Sequence, residues 1–224
     1  MIPDFFSDGI CIIPCLSVSS LAFLKSELSS RILTSLGAPS TYDLATYHLW
    51  WSKYDCNRAF ALSAKSRHFQ SSTWNQINLI PFLTDFIQRF FPNYVVKVWD
   101  EGLGSSAFRL VRPGFEDGYP PSRKSWGPGG KLLSVTIPLI GFSMFESQAF
   151  ILGSHLLDYP SELPVSRKFT KDERRLVDPS SYKFSYFSVS PGDIIVFHWN
   201  TIHSEQIVGR DTTRLALEVR FNIE

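Results

Sequence analysis

The stretch from Pro191 to Phe221, PGDIIVFHWNTIHSEQIVGRDTTRLALEVRF, constrains the fold of this chain most. Pro191, Gly192 and Asp193 are turn residues, and they lead into the apolar run Ile194, Ile195, Val196, Phe197. Gly209, Arg210 and Asp211 give a second turn signal, and Leu215 to Phe221 alternates as a strand does. The pattern predicts two strands joined by a turn. His203 stands where the first strand runs out, and Arg214 opens the second, eleven residues later. A strand end suits a chemical group, because the sheet aims it and the adjoining loop admits a ligand. An imidazole there suits a divalent transition metal. A planar guanidinium suits the carboxylate of a small acid, through two parallel hydrogen bonds.

Upstream, Asp8 and Gly9 followed by Ile10 to Ile13 read as a turn and a short buried strand. Ser17 to Leu36 has helical spacing at Leu21, Leu24, Leu28 and Ile32, with serines to cap its start and Gly37, Ala38, Pro39 to end it. Tyr42, Tyr47, Trp50, Trp51 and Tyr54 form an aromatic cluster that either packs on the outside of a sheet or walls a cleft. His48 and His68 have no ligand-like neighbours. Thr73 to Phe91 predicts a helix with one apolar face (Ile80, Leu83, Phe86, Ile87 and Phe90 among its members), interrupted or started by Pro81. From Tyr94 onward the chain turns to strands: Tyr94 to Trp99, Ala107 to Val111, Leu132 to Leu139, Ala149 to Leu152 and Phe184 to Val189. Residues 158 to 182 read as a polar insertion with a solvated charge run at Lys171 to Arg175. Helices followed by many short strands predict a mainly β domain, a small barrel or jelly roll.

Composition bounds the rest. The 224 residues suffice for one domain with a sizeable core, and 44% hydrophobic with 15% aromatic content argues for a globular chain. A net charge of +1 gives no reason to expect nucleic acid or an anionic membrane as a partner. Cys11, Cys15 and Cys56 lack metal-type clustering and fit reduced thiols in a cytoplasmic protein. The start has no basic leader-like region, and no apolar run approaches membrane-spanning length.

The closing stretch resembles the last two core strands of the Fe(II)/2-oxoglutarate-dependent oxygenases, most nearly their phytanoyl-CoA-dioxygenase-like branch. That family ends on Gly-Asp, an apolar strand, a metal-binding His, and an Arg that grips the distal carboxylate of the co-substrate. The resemblance implies a double-stranded β-helix, a jelly-roll or cupin-like core over residues 94–224 on a helical N-terminal support over 1–93. It implies His203 as a metal histidine, Arg214 as the 2-oxoglutarate anchor, Fe(II) and 2-oxoglutarate as cofactors, and Arg220 with Phe221 as the family's closing pair. Val111 to Gly114 and Ile151 to His155 resemble two further landmarks, the second implying a structural His155.

The family's remaining iron ligands come from His-x-Asp, often followed by x-Trp-Gly. Aligned on Trp126 and Gly127, this chain reads Ser122-Arg123-Lys124, so serine stands for the His and lysine for the Asp. A hydroxyl is a poor ligand for Fe(II), and an ammonium has no lone pair to donate. Like charges about 4 Å apart repel by about 4 kcal/mol at an effective dielectric near 20. Asp117 or Glu116 swinging in, or His198 joining His203, are the two routes by which iron could still be held. The alternative is a pocket for a small anionic molecule in the barrel mouth, with Lys124 and His203 as acid–base groups and Arg214, Ser122 and Arg220 as ligand-binding groups. Three functions follow as expectations. The first is a diverged binder of a 2-oxo acid, sugar acid or acyl derivative. The second is an active dioxygenase with an unconventional ligand set, and the third is a scaffold that keeps the fold alone.

Overall fold

The computed structural model describes residues 4–54, 79–99, 106–113, 122–124, 132–142, 147–157, 174–176, 183–204 and 211–224, with backbone alone at 106–107, 122–124 and 174–176. In chain order these form α1 (Phe5–Asp8), β1 (Ile10–Pro14), α2 (Val18–Leu36), a 3-10 turn (Leu44–Thr46), α3 (Tyr47–Tyr54) and α4 (Leu79–Phe90). The strands β2 (Val96–Val98), β3 (Ser106–Val111), β4 (Ser122–Lys124), β5 (Leu132–Ile140) and β6 (Ala149–Phe150) follow, then a 3-10 turn (Ser154–Leu156). The chain ends with β7 (Arg174–Leu176), β8 (Ser185–Tyr186), β9 (Asp193–His198), β10 (His203–Ser204) and β11 (Arg214–Ile223).

Alternation along β11 sets the architecture. Leu215, Leu217, Val219, Phe221 and Ile223 join one large core with α2, α3 and α4, while Arg214, Ala216, Glu218 and Arg220 take the opposite face. The same division runs through β5, where Leu133, Val135, Ile137 and Leu139 meet the helices and Ser134 and Thr136 do not. One face of this sheet is therefore covered by helices and the other by a second sheet. The first sheet has the order β1-β9-β5-β11-β2, with β3 also paired to β11. The second has the order β7-β4-β10-β6-β8. All pairings are antiparallel. Strands β3-β11-β5-β9 facing β4-β10-β6-β8 make the eight-stranded jelly roll that the sequence predicts.

Several boundaries differ from the sequence reading. The closing stretch is not a hairpin. After β9 a turn at Trp199–Thr201, closed by Thr201 N–H donating to the His198 carbonyl (2.9 Å), carries the chain out of the first sheet. His203 then opens β10 in the second sheet, and β5 lies between β9 and β11. The first sheet also recruits β1 from the N-terminal support, in register with β9 from Ile10↔Phe197 to Pro14↔Asp193. Part of the region read as a polar insertion, Arg174–Leu176, is an edge strand on β4. Helix α4 buries Leu79, Leu83 and Ile87, whereas Phe82 and Phe90 are about half exposed, at 44% and 47%. Phe82 stacks on Phe86 and Phe90 lies tilted against it along that second stripe, one residue and so about 100° round the helix from the buried one. The expected stretch Thr73 to Asn78 lies outside the described residues. The aromatic cluster packs: Tyr47 is fully buried in the helix-side core, with Trp50 5.0 Å from it edge-on and Tyr42 4.9 Å from Trp50.

Candidate functional site

The space between the sheets is lined from the first sheet by the inner faces of β3, β5, β9 and β11. Arg214 is 1% exposed there, its guanidinium 5.5 Å from the Phe142 ring. The residue before it is pinned. Thr213 N–H donates to the Ala45 carbonyl (2.8 Å), and Thr213 Oγ1 accepts from His48 N–H (3.1 Å) and meets His48 Nδ1 (3.0 Å). The start of α3 thus fixes where β11 begins, and His48 is a structural histidine.

His203 is 3% exposed, its ring 4.8 Å from that of Phe197 and 6.1 Å from that of Phe150, with which it stacks. Its Nδ1 donates to the Thr201 carbonyl at 2.8 Å. A carbonyl can only accept, so Nδ1 carries hydrogen and Nε2 is the nitrogen with the lone pair in the neutral ring. A stitch upstream holds the strand: Ser154 Oγ donates to the Ile151 carbonyl (2.6 Å) and accepts from Ile202 N–H (2.9 Å). This Ser154 stitch lies in the Gly-Ser-His landmark, where sequence reasoning noted the histidine and passed over the serine.

Across β10 the register pairs His203 with Ser122 on one side and with Phe150 on the other. Ser122 is therefore the cross-strand register partner of His203, and Lys124 lies two residues along the same strand. Asp117 and Glu116 lie outside the described residues. His198 faces away from His203: its ring is 5.3 Å from that of His155 and 6.4 Å from that of Phe5, on the helix side of the sheet. His155 itself donates Nε2–H to the Phe6 carbonyl (3.2 Å), and burial pushes its pKa below the ordinary value, an effect that the Phe6 carbonyl and Asp8 oppose.

A charged network that sequence reasoning missed occupies the inner face of β11. Glu218 is the one buried carboxylate among the described residues. Its Oε2 accepts from Arg109 Nε, and its Oε1 from Arg220 Nε and Nη2, each at 3.1 Å. Arg220 also lies against the rings of Trp199 (5.3 Å) and Trp99 (5.7 Å). So Arg220, a ligand-binding candidate from sequence, is an ion-pair partner of Glu218 in this structure. The signal in the sequence was the even spacing of Arg214, Glu218 and Arg220, four and then two residues apart, on a strand whose alternate residues are all apolar.

The donor set decides what can be held. A facial Fe(II) site needs three ligands converging from one side. The described residues bring one imidazole to this space, on a strand in register with Ser122. No group of three or more His, Cys, Asp or Glu side chains that could hold a metal ion occurs among the described residues. These residues do not fit the iron triad. Arg109, Arg214 and Arg220 lie on the inner face of the first sheet, two of them paired to Glu218.

No protein-family model and no curated protein sequence matches the chain. Solved structures do. The epimerase SnoN, in complex with Fe3+, alpha ketoglutarate and nogalamycin RO, superposes with a TM-score of 0.61 at 16% identity, over 97% of this chain and 80% of its own. AviO1 from Streptomyces viridochromogenes gives 0.62 at 16% identity, over 97% of this chain and 91% of its own. The non-heme monooxygenase ThoJ gives 0.57 at 15% identity, over 98% and 77%. The chain has the fold of the non-heme, alpha-ketoglutarate-dependent enzymes. At such identities the likeness concerns the fold, and the site must be argued from this chain's own residues.

Proposed function

We propose that this chain is a diverged relative of the 2-oxoglutarate-dependent oxygenases, nearest their phytanoyl-CoA-dioxygenase-like branch. In this reading it binds a small anionic metabolite between its two sheets without the usual iron triad. The observation that supports it is the placing of Arg214, buried on the inner face of the first sheet in the space that His203 also borders. Arg214 is the group that grips a carboxylate, as its fork geometry suits. His203 is the acid–base group. Ser122, across the strand from it, and Lys124, two residues on, are the further polar groups of the mouth. The ligand is a 2-oxo acid, a sugar acid or an acyl derivative.

Calorimetric titration of metal-stripped protein with 2-oxoglutarate, with and without Fe(II) and under anaerobic conditions, tests this. The expected result is anion binding that is indifferent to iron and about tenfold or more weaker in Arg214→Met, as for the loss of one charge-assisted pair. Stoichiometric iron binding that His203→Ala abolishes, with a visible charge-transfer band in the presence of 2-oxoglutarate, would instead make the chain an oxygenase with an unconventional ligand set. No binding of either would leave a scaffold.

A further inference from the structure

Glu218 is held as a bound acid would be held. Both oxygens of its carboxylate are taken by guanidinium groups: Oε2 accepts from Arg109 Nε, and Oε1 from Arg220 Nε and Nη2, each at 3.1 Å. Charge-assisted bonds from a planar fork are strong and directional, which makes paired arginines a means of holding small acids. Here the two come from different strands, Arg220 from β11 itself and Arg109 from β3, where it is in register with Ala216. Arg220 also lies against the rings of both Trp199 and Trp99, which fix its aim. The neighbours of Glu218 on its face of the sheet are short. Ala216 precedes it on β11, and its register partner on β5 is Thr136. Neither reaches far enough to replace its carboxylate between the arginines.

From this geometry we infer that Arg109 and Arg220 form a carboxylate-binding cradle that the protein fills from within: Glu218 is its internal ligand and keeps acids from outside out of it. The inference stands apart from the anion reading above, which assigns an outside acid to Arg214, four residues and so about 13 Å along β11 from Glu218. It divides the inner face into two ends, one of them closed by the chain's own carboxylate. The class of ligand that fits the cradle is a small monocarboxylate. Shortening Glu218 to alanine removes a methylene and a carboxylate, the size of acetate. The variant then holds two buried guanidiniums around an acetate-sized space, and buried cations without a counter-charge are costly. Acetate entering that space restores the lost bonds, and a ligand that binds only the folded chain stabilises it.

Thermal unfolding of the full chain at neutral pH, in acetate and in acetamide, tests this. Acetamide has the shape of acetate without its charge, and sodium chloride keeps the ionic strength equal in the two series. The wild type sets the baseline, which includes any acetate held at Arg214. Glu218→Ala is expected to melt well below the wild type. In about 100 mM acetate it should regain about 5 °C or more beyond that baseline, and less than about 1 °C in acetamide. Glu218→Gln keeps the space filled without the charge, so it is expected to be destabilised and to respond alike to both additives. Equal responses of Glu218→Ala to acetate and acetamide overturn the inference. So does a recovery of Glu218→Gln as large as that of Glu218→Ala, which would mark a general effect of anions. If Glu218→Ala is unfolded in plain buffer, circular dichroism makes the same comparison: refolding in acetate but not in acetamide supports the cradle, and refolding in neither overturns it. A shift of the wild type in acetate bears on the anion reading alone.

Discussion

Gly9 shows how one residue ties the N-terminus to the mouth of the roll. Its φ of 77° is left-handed, and a Cβ there would strike His155 Nδ1 and Thr201 Oγ1. Its carbonyl meanwhile accepts from His198 N–H (2.8 Å) and from Thr201 Oγ1 (2.9 Å), at the turn that leads to His203. His155, packed on this turn, carries a pH prediction. Burial holds its folded pKa below the ordinary 6.5, the Phe6 carbonyl and Asp8 only partly offsetting this. The unfolded chain therefore takes up its proton first as pH falls. The stability that the neutral ring contributes is present above about pH 6.5 and is lost as pH drops through that value towards the lower folded pKa. Urea unfolding of wild type and His155→Gln between pH 5 and 8 measures it. The wild type should lose stability more steeply below pH 6.5, and parallel curves would show that the ring titrates as in the unfolded chain.

At the scale of the element, β11 carries a face for the core and a face for chemistry. Its inner ion pairs are shielded from water: Glu218 is 1% exposed as a side chain, Arg109 8% and Arg220 7%. Replacing a buried carboxylate that serves two guanidiniums leaves charge uncompensated, and such losses cost about 3–5 kcal/mol. Glu218→Gln should therefore lower the unfolding free energy by roughly that amount in urea titrations. A loss under about 1 kcal/mol would mean that other groups hold Arg109 and Arg220 in place. Helix α2 was the element most legible in the sequence. The serine cap, the apolar spacing and the terminal glycine predicted Ser17 to Leu36, and the helix runs Val18–Leu36 with Ser17 accepting from Ser20 N–H (3.1 Å). Helix α4 was legible only in outline, because its apolar residues span two stripes and periodicity could not say which of them meets the core.

For the molecule as a whole, β11 is the strand most enclosed by pairing. It is bonded to β5 along one edge and to β3 and β2 along the other, and helices cover its apolar face. Its amides should exchange with solvent hydrogen by global unfolding, more slowly than those of the edge strand β1. Native-state exchange measures this, and faster exchange in β11 than in β1 would place the stable unit elsewhere. The sequence by itself determined what depends on near neighbours: strand alternation, turn residues, the capping of α2, and the mainly β character that points to a jelly roll. It also singled out His203 and Arg214, because both stand at the ends of apolar runs. The tertiary structure alone decided which strands are neighbours, and with that the site. Arg109 and Glu218 meet across 109 residues, His203 stands opposite Ser122, and β5 parts the two closing strands that the sequence joined as a hairpin. Local propensity acts within a few residues, whereas such pairings gain free energy only after long loops have closed and the sheets have packed, so no short stretch of sequence encodes them.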